Sequence, residues 1–208
     1  MDIQFTTKSQ DALAQAESDA TRAGHPEVRP EHLLLSLLRQ KGGAGWAVAL
    51  TIAGSDCSAG AGIQADLKAF SARGCYGMAV ITALTAQNTV GVQGIHAVPA
   101  SFLKAQIQSV MDDIGVDALK IGMLHSVEVV QAVTQAIARH HLQRIVLDPV
   151  MVATSGAVLI SPDAVAELVR QLFAQADLIT PNLDEAALLV GRPLQSENDI
   201  ETAAKELL

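Results

Sequence analysis

From Trp46 onward the chain alternates short apolar runs with helix-patterned stretches, and this alternation constrains its fold more than any other feature. WAVALTIA, MAVITAL, DALKIG, RIVLD and DLIT read as short buried strands. Helices are expected between and after them, around residues 62–72, 101–112, 126–140, 162–173 and 183–190. Ser161 ahead of Pro162 is a helix start signal, and Gly191 after Val190 a stop signal. Strand and helix alternating so regularly imply parallel strands joined by right-handed crossovers. The expected class is therefore α/β, a doubly wound, mostly parallel sheet, with ligands at the carboxyl ends of its strands.

Composition agrees with that class. Hydrophobic residues make up 50% of the 208 and aromatics only 3%, so the core is built from Ala, Val, Leu and Ile, as in sheets covered by helices. A formal net charge of −8 argues against gripping nucleic acid or anionic lipid, which need a basic face. Small-molecule or protein partners remain. Cys57 and Cys75 fit neither a disulfide framework nor a CxxC site, which suits a reducing cytosol. The opening MDIQFTTKSQ lacks the pattern of a secretory signal. The uncharged stretch from Gly74 to Leu103 is interrupted by Gln87, Asn88, Gly91, Gln93, Gly94 and Pro99, which argues against a membrane span. A soluble, cytoplasmic protein is expected.

Residues 5–41 have a different character. Thr7 and Gln10 have capping-box spacing; Ala12, Leu13, Ala16 and Ala20 keep helical period, and Gly24 supplies a stop. Pro30 can open a second helix through HLLLSLLRQ. His25 and His32 read as ordinary capping or packing residues rather than ligands. The segment from Phe5 to Gly43, above all GHPEVRPEHLLLSLL, resembles the start of the N-terminal repeat domain of Clp-type unfoldase chaperones. It covers only the opening helices of that domain, so the resemblance transfers no site residue. With KGGAG at 41–45 as a join, a short helical appendage over 1–43 and an α/β domain over 44–208 are expected.

GSDCSAGAGIQADLKAF, residues 54–70, leaves a buried strand and enters a helix, where free N–H groups and the helix dipole attract anions. Gly54, Gly60 and Gly62 permit close backbone approach. GAGIQA matches a relaxed dinucleotide fingerprint, yet Gly60 lies too far past the strand and the next strand ends without the ribose-binding acid. A Walker A loop also fails, because Ala61 and Gly62 follow Gly60 where Lys and Ser or Thr are required. A structural turn stays open as the plain alternative. TALTAQNTVGVQG, KIGML, LDPVMVATSG and ITPNLDEAALLVG likewise put polar or glycine residues just after expected strands, so several strand ends converge on one crevice.

From about Ala49 to Leu208 these ordered segments resemble bacterial hydroxymethylpyrimidine and phosphomethylpyrimidine kinases of the ribokinase-like superfamily. The resemblance implies transfer of the ATP γ-phosphoryl group to the hydroxymethyl oxygen of 4-amino-5-hydroxymethyl-2-methylpyrimidine, then to the phosphate of that product, in thiamine biosynthesis. Phosphoryl transfer requires positioning and charge neutralisation, with Mg²⁺ bridging phosphate oxygens. By the same resemblance Gln87 and Asp66 contact the pyrimidine, Gly54 and Ala61 lie against the ring, and Met123 and Val150 wall it. A carboxamide both donates and accepts, which suits an aminopyrimidine. Asn182 and Glu185 match the NxxE element that acts on Mg²⁺ and the ATP phosphates, with Asp148 as a further metal-side carboxylate. Bland readings stand beside these: a loop cap for Gln87, a solvated helix acid for Asp66, core packing for Met123 and Val150, a helix cap for Asn182 and an exposed Glu185.

Two departures from the family stand out. Cys57 and Ala59 replace a Pro and a Gly common in the first loop. The glycine-rich anion hole that the family sets around the moving phosphoryl group is not matched, and the chain ends in SENDIETAAKELL, an expected helix. No catalytic residue is assigned, and weak turnover is expected, since such stabilisation is worth several kcal/mol. An exposed sheet edge, and association through it, are also expected. Alternatives are a non-catalytic pyrimidine-binding or chaperone-partner protein, and a chimeric fragment.

Overall fold

The computed structural model describes residues 7–22, 24, 25, 27–30, 32, 33, 36, 47–152 and 159–207. Its elements run α1 (Thr7–Arg22), β1 (Val48–Asp56), α2 (Gly62–Ala72), β2 (Tyr76–Asn88), β3 (Gly91–Ala97), α3 (Ala100–Asp113) and β4 (Ala118–Ile121). Then follow α4 (Val127–His140), β5 (Ile145–Leu147), α5 (Pro162–Leu172) with a short 3-10 turn, β6 (Leu178–Ile179), α6 (Leu183–Val190) and α7 (Glu197–Leu207). The six strands form one sheet in the order β3-β2-β1-β4-β5-β6. All pairings are parallel except β2 with β3. The expected α/β architecture is therefore present, and the expected strands and helices lie where the apolar pattern put them.

The sheet has two unlike faces because side chains alternate along each strand. Leu50, Ile52, Leu119, Ile121, Ile145 and Leu147 face the large core, where Leu103 and Ile107 of α3, Val129, Val130 and Val133 of α4, and Leu168 and Leu172 of α5 close over them. The other face carries small residues, Ala49, Ala118 and Val146, and packs with Phe70 of α2. Ser126 and Ser161 cap α4 and α5 by accepting from Val129 N and Ala164 N, and left-handed His141 and Gly191 follow the ends of α4 and α6.

Two differences from the sequence reading matter for the site. Strand β1 continues through Gly54 to Asp56, and β2 continues through TAQN to Asn88, so Gln87 sits on a strand and not in a loop. GVQGIHA then turns back as β3. Asn88 closes the hairpin as its side-chain Oδ1 accepts from Val90 N at 2.9 Å and Gly91 N at 3.2 Å.

The N-terminal segment rests on the α/β body. Arg73, just past α2, reaches the buried Asp19 of α1 at 3.3 Å and donates to its backbone carbonyl at 2.7 Å. His32 is buried, accepts from Arg29 N at Nδ1 (2.8 Å), and meets His25 Nδ1 through Nε2 at 2.9 Å, a packing arrangement for both. Burial, and then His25, hold His32 below the ordinary histidine range. The capping side chains of Thr7 and Gln10, most of the second helix and the 41–45 join lie outside the described residues.

Candidate active site

The crevice at the carboxyl ends of the parallel strands forms an open cavity of about 650 Å³. Gly54, Ala61, Asp66, Gln87, Met123, Val150, Asp148, Asn182 and Glu185 all border it. Glu27, Val28, Arg29, Pro30 and Leu33 of the N-terminal segment border it too, which nothing in the sequence had suggested.

The first loop is built around Asp56. Its carboxylate accepts from Ser58 N and Oγ (both 2.8 Å), Gly60 N (3.0 Å) and Ala61 N (2.9 Å). Burial pushes this carboxyl up, but the hydrogen bonds from Ser58, Ala61 and Gly60 outweigh it and hold Asp56 below the ordinary carboxylate range. Three of the loop's N–H groups ahead of α2 are thus taken by the chain's own carboxylate. Gln64 completes the brace, its Oε1 accepting from Asp56 N and its Nε2 donating to Ser55 Oγ. Gly62 is obligatory: its φ is +59°, and a Cβ there would stand 2.3 Å from Gly54 O. A Cβ on Gly54 would stand 3.1 Å from Met123 Sδ, so these two expected site residues meet directly.

At one end of the cavity, Gln87 is fixed from both sides. Its backbone N–H and carbonyl both engage the Cys57 thiol, at 3.3 and 3.1 Å, and Thr85 Oγ1 lies 3.1 Å from its Oε1. Thr85 has one hydroxyl proton and two acceptors within reach, Ser55 O at 3.0 Å and Gln87 Oε1 at 3.1 Å, so the Gln87 carboxamide keeps both a donor, Nε2, and an acceptor, Oε1. Asp66, on α2, is not a solvated helix acid: it is 3% exposed, and Thr51 Oγ1 donates to its Oδ2 at 2.6 Å.

Towards the other end, Asp148 follows β5, with Thr180 Oγ1 3.5 Å from its Oδ1. Burial pushes the Asp148 carboxyl up, opposed by the nearby Lys120 ammonium. Asn182 and Glu185 form a reciprocal capping box at the start of α6: each backbone N–H donates to the other's side chain at 2.9 Å. Glu185 is only 5% exposed, contrary to its bland reading, and its second oxygen accepts from Met151 N at 3.3 Å. Burial also raises the Glu185 carboxyl above its ordinary range.

Lys120 was missed by sequence reasoning. It lies on β4, buried, with Nζ 3.2 Å from Asp66 Oδ2 and 3.4 Å from Asp148 Oδ2. The available signal was the lysine inside the otherwise apolar strand DALKIG, since a buried cation has to be paired.

Residues 56–208 match the phosphomethylpyrimidine kinase family. The chain belongs to that family. It is 51% identical over 161 residues to the hydroxymethylpyrimidine/phosphomethylpyrimidine kinase of Salmonella typhimurium, covering 77% of this chain and 60% of the relative. The chain thus spans about three fifths of the length of such curated relatives. Among solved structures, the phosphomethylpyrimidine kinase of Clostridium difficile 630 superimposes with a TM-score of 0.72 at 43% identity, covering 77% of this chain and 70% of that one. A pyridoxal kinase of Staphylococcus aureus, solved with AMP-PCP, gives 0.71 at 34% identity, covering 79% of this chain and 59% of that one. Residues 4–70 match the Clp repeat N-terminal domain, as the opening helices suggested. The two matches overlap at 56–70, a stretch that comprises the last residue of β1, the Asp56 loop and most of α2. By family, then, the kinase fold carries a Clp-like N-terminal segment.

Proposed function

We propose that this chain binds 4-amino-5-hydroxymethyl-2-methylpyrimidine or its monophosphate, and that the reaction it serves is ATP-dependent phosphorylation of those compounds, cytoplasmic and within thiamine biosynthesis. The observation that carries the reading is the cavity itself: groups that suit an aminopyrimidine border one end, and hard oxygen donors the other. Gln87 and Asp66 recognise the ring, with Gly54 and Ala61 allowing close approach and Met123 and Val150 forming apolar walls. Asn182, Glu185 and Asp148 serve the nucleotide and metal side. In the transfer, the hydroxymethyl oxygen loses its proton to water and bonds to the γ-phosphorus, the bond from that phosphorus to the β–γ bridging oxygen breaks, and ADP leaves.

Among the described residues no three His, Cys, Asp or Glu side chains cluster to cage a metal, and Glu185 already spends its oxygens on backbone N–H groups. That donor set fits Mg²⁺, which keeps several waters and takes phosphate oxygens with one or two carboxylates. Asp148 is its first candidate ligand here, with Glu185 acting through water. Bound Mg²⁺ would neutralise charge on the phosphates.

Titration calorimetry of the whole chain with the pyrimidine tests the reading. Saturable binding is expected, weakened roughly 10- to 100-fold by Gln87→Ala, the range for a lost directional hydrogen bond. Absence of binding, or an unchanged affinity in Gln87→Ala, would sink it. We further propose that 1–43 is a helical appendage joined near KGGAG to a kinase-like domain over 44–208 on which it rests, and that the chain associates with itself through the β6 edge.

A further inference from the structure

Strand β4 sends Leu119 and Ile121 into the large core and turns Lys120 to the opposite face, next to α2. A lone ammonium so buried would cost several kcal/mol, and two carboxylates supply its compensation. The arrangement is asymmetric in a way that bears on the ligand. Asp66 Oδ2 receives both the Lys120 ammonium at 3.2 Å and the Thr51 hydroxyl at 2.6 Å. No bond to Asp66 Oδ1 is made among the described residues, and Asp66 borders the cavity. Lys120 also stands 3.4 Å from Asp148 Oδ2, so one side chain touches both ends of the site. Gly122 keeps the space it needs: a Cβ there would lie 3.1 Å from Lys120 Nζ and 3.0 Å from Ala53 Cβ.

We propose that Lys120 is a specificity-positioning residue: with Thr51 it pins Oδ2 of Asp66, so that Oδ1 is presented to an exocyclic amino group on the ligand ring, and through Asp148 it anchors that pose to the far end of the cavity. The proposal rests on the pyrimidine reading above and adds how the site selects an aminated ring. A carboxylate free to rotate would present either oxygen, or none, and would discriminate poorly. One held by two donors on the same oxygen presents a single acceptor in a fixed direction.

The test compares two ligands, 4-amino-5-hydroxymethyl-2-methylpyrimidine and the same ring without its 4-amino group, by calorimetry on the whole chain. The unaltered chain is expected to prefer the amino compound roughly 10- to 100-fold, the range for a hydrogen bond to a charged group. Lys120→Met is expected to bring that ratio to within about threefold of unity, and Lys120→Arg to recover part of it. General loosening of the fold would weaken both ligands alike and leave the ratio unmoved. Thr51→Val, at a position that does not border the cavity, removes the other tether and should reduce the ratio too; it carries the test if Lys120→Met does not fold by circular dichroism. Should the unaltered chain bind neither compound, the pyrimidine reading fails and this proposal with it. If it prefers the amino compound and the variants keep the full ratio, only the role given to Lys120 is overturned.

Discussion

Ala59 shows how much a single residue in the first loop can cost. Its φ is +62°, a left-handed conformation that disfavours any side chain with a Cβ by about 1–2 kcal/mol. A glycine there would relieve that strain but add unfolded-chain entropy worth about 0.4–1 kcal/mol. The strain outweighs the entropy, so Ala59→Gly is expected to raise stability by about 0.5–1 kcal/mol, read as a higher urea midpoint at unchanged slope. Asp56 makes a second prediction at this scale. Its carboxyl is held below the ordinary range by its loop, so its stabilisation is present above the unfolded carboxylate value of about 3.9 and is lost as pH falls through the folded value. The stability gap between the unaltered chain and Asp56→Asn should be widest at neutral pH and close under acid, as denaturant titrations at several pH values would reveal. Neither point is legible in the sequence: it shows Ala at 59 but not the backbone angle there, and nothing local marks Asp56 as the acceptor for its own loop.

At the scale of elements, periodicity located nearly every helix and strand, while the connections between them escaped it. The hairpin of β2 and β3 has no local signature, because its turn lacks a central Asn-Gly; Asn88 and Gly91 flank Thr89 and Val90 instead. The consequence falls on Gln87, which stands on a strand with its backbone clipped to Cys57 and not in a loop. The docking of α1 is likewise a matter of two side chains far apart in sequence. Arg73, with its side chain 11% exposed, meets an Asp19 side chain with no exposure. Removing one partner of a buried pair costs about 3–5 kcal/mol, and with Gln15 and Arg22 still beside Asp19 the low end is expected for Arg73→Ala. Loss of hydrogen-exchange protection over 7–22, with the sheet still protected, is the expected signature; uniform protection in the variant would mean that α1 is held by other contacts.

For the molecule as a whole, the two-residue strand β6 forms one edge of the sheet and pairs only with β5 among the described strands. Leu183 and Leu188 on the following α6 are 55% and 56% exposed. Unpaired edge groups beside apolar side chains favour association, so sedimentation velocity should give a mass that rises with concentration. A monodisperse species at 21.8 kDa, melting cooperatively, would refute the proposed edge contact. Among the described residues no helix is long and apolar enough to cross a membrane. By itself the sequence determined the class of fold, the order of its strands and helices, and the set of residues at the strand ends, because apolar period and helix-end chemistry are local properties written residue by residue. Only the tertiary structure decided that Lys120 joins Asp66 to Asp148, that Asp56 fills its own loop, that β3 runs backwards, and that Arg29 and Leu33 reach the cavity. Those outcomes depend on which charges and surfaces meet once distant segments pack, and no local pattern encodes that.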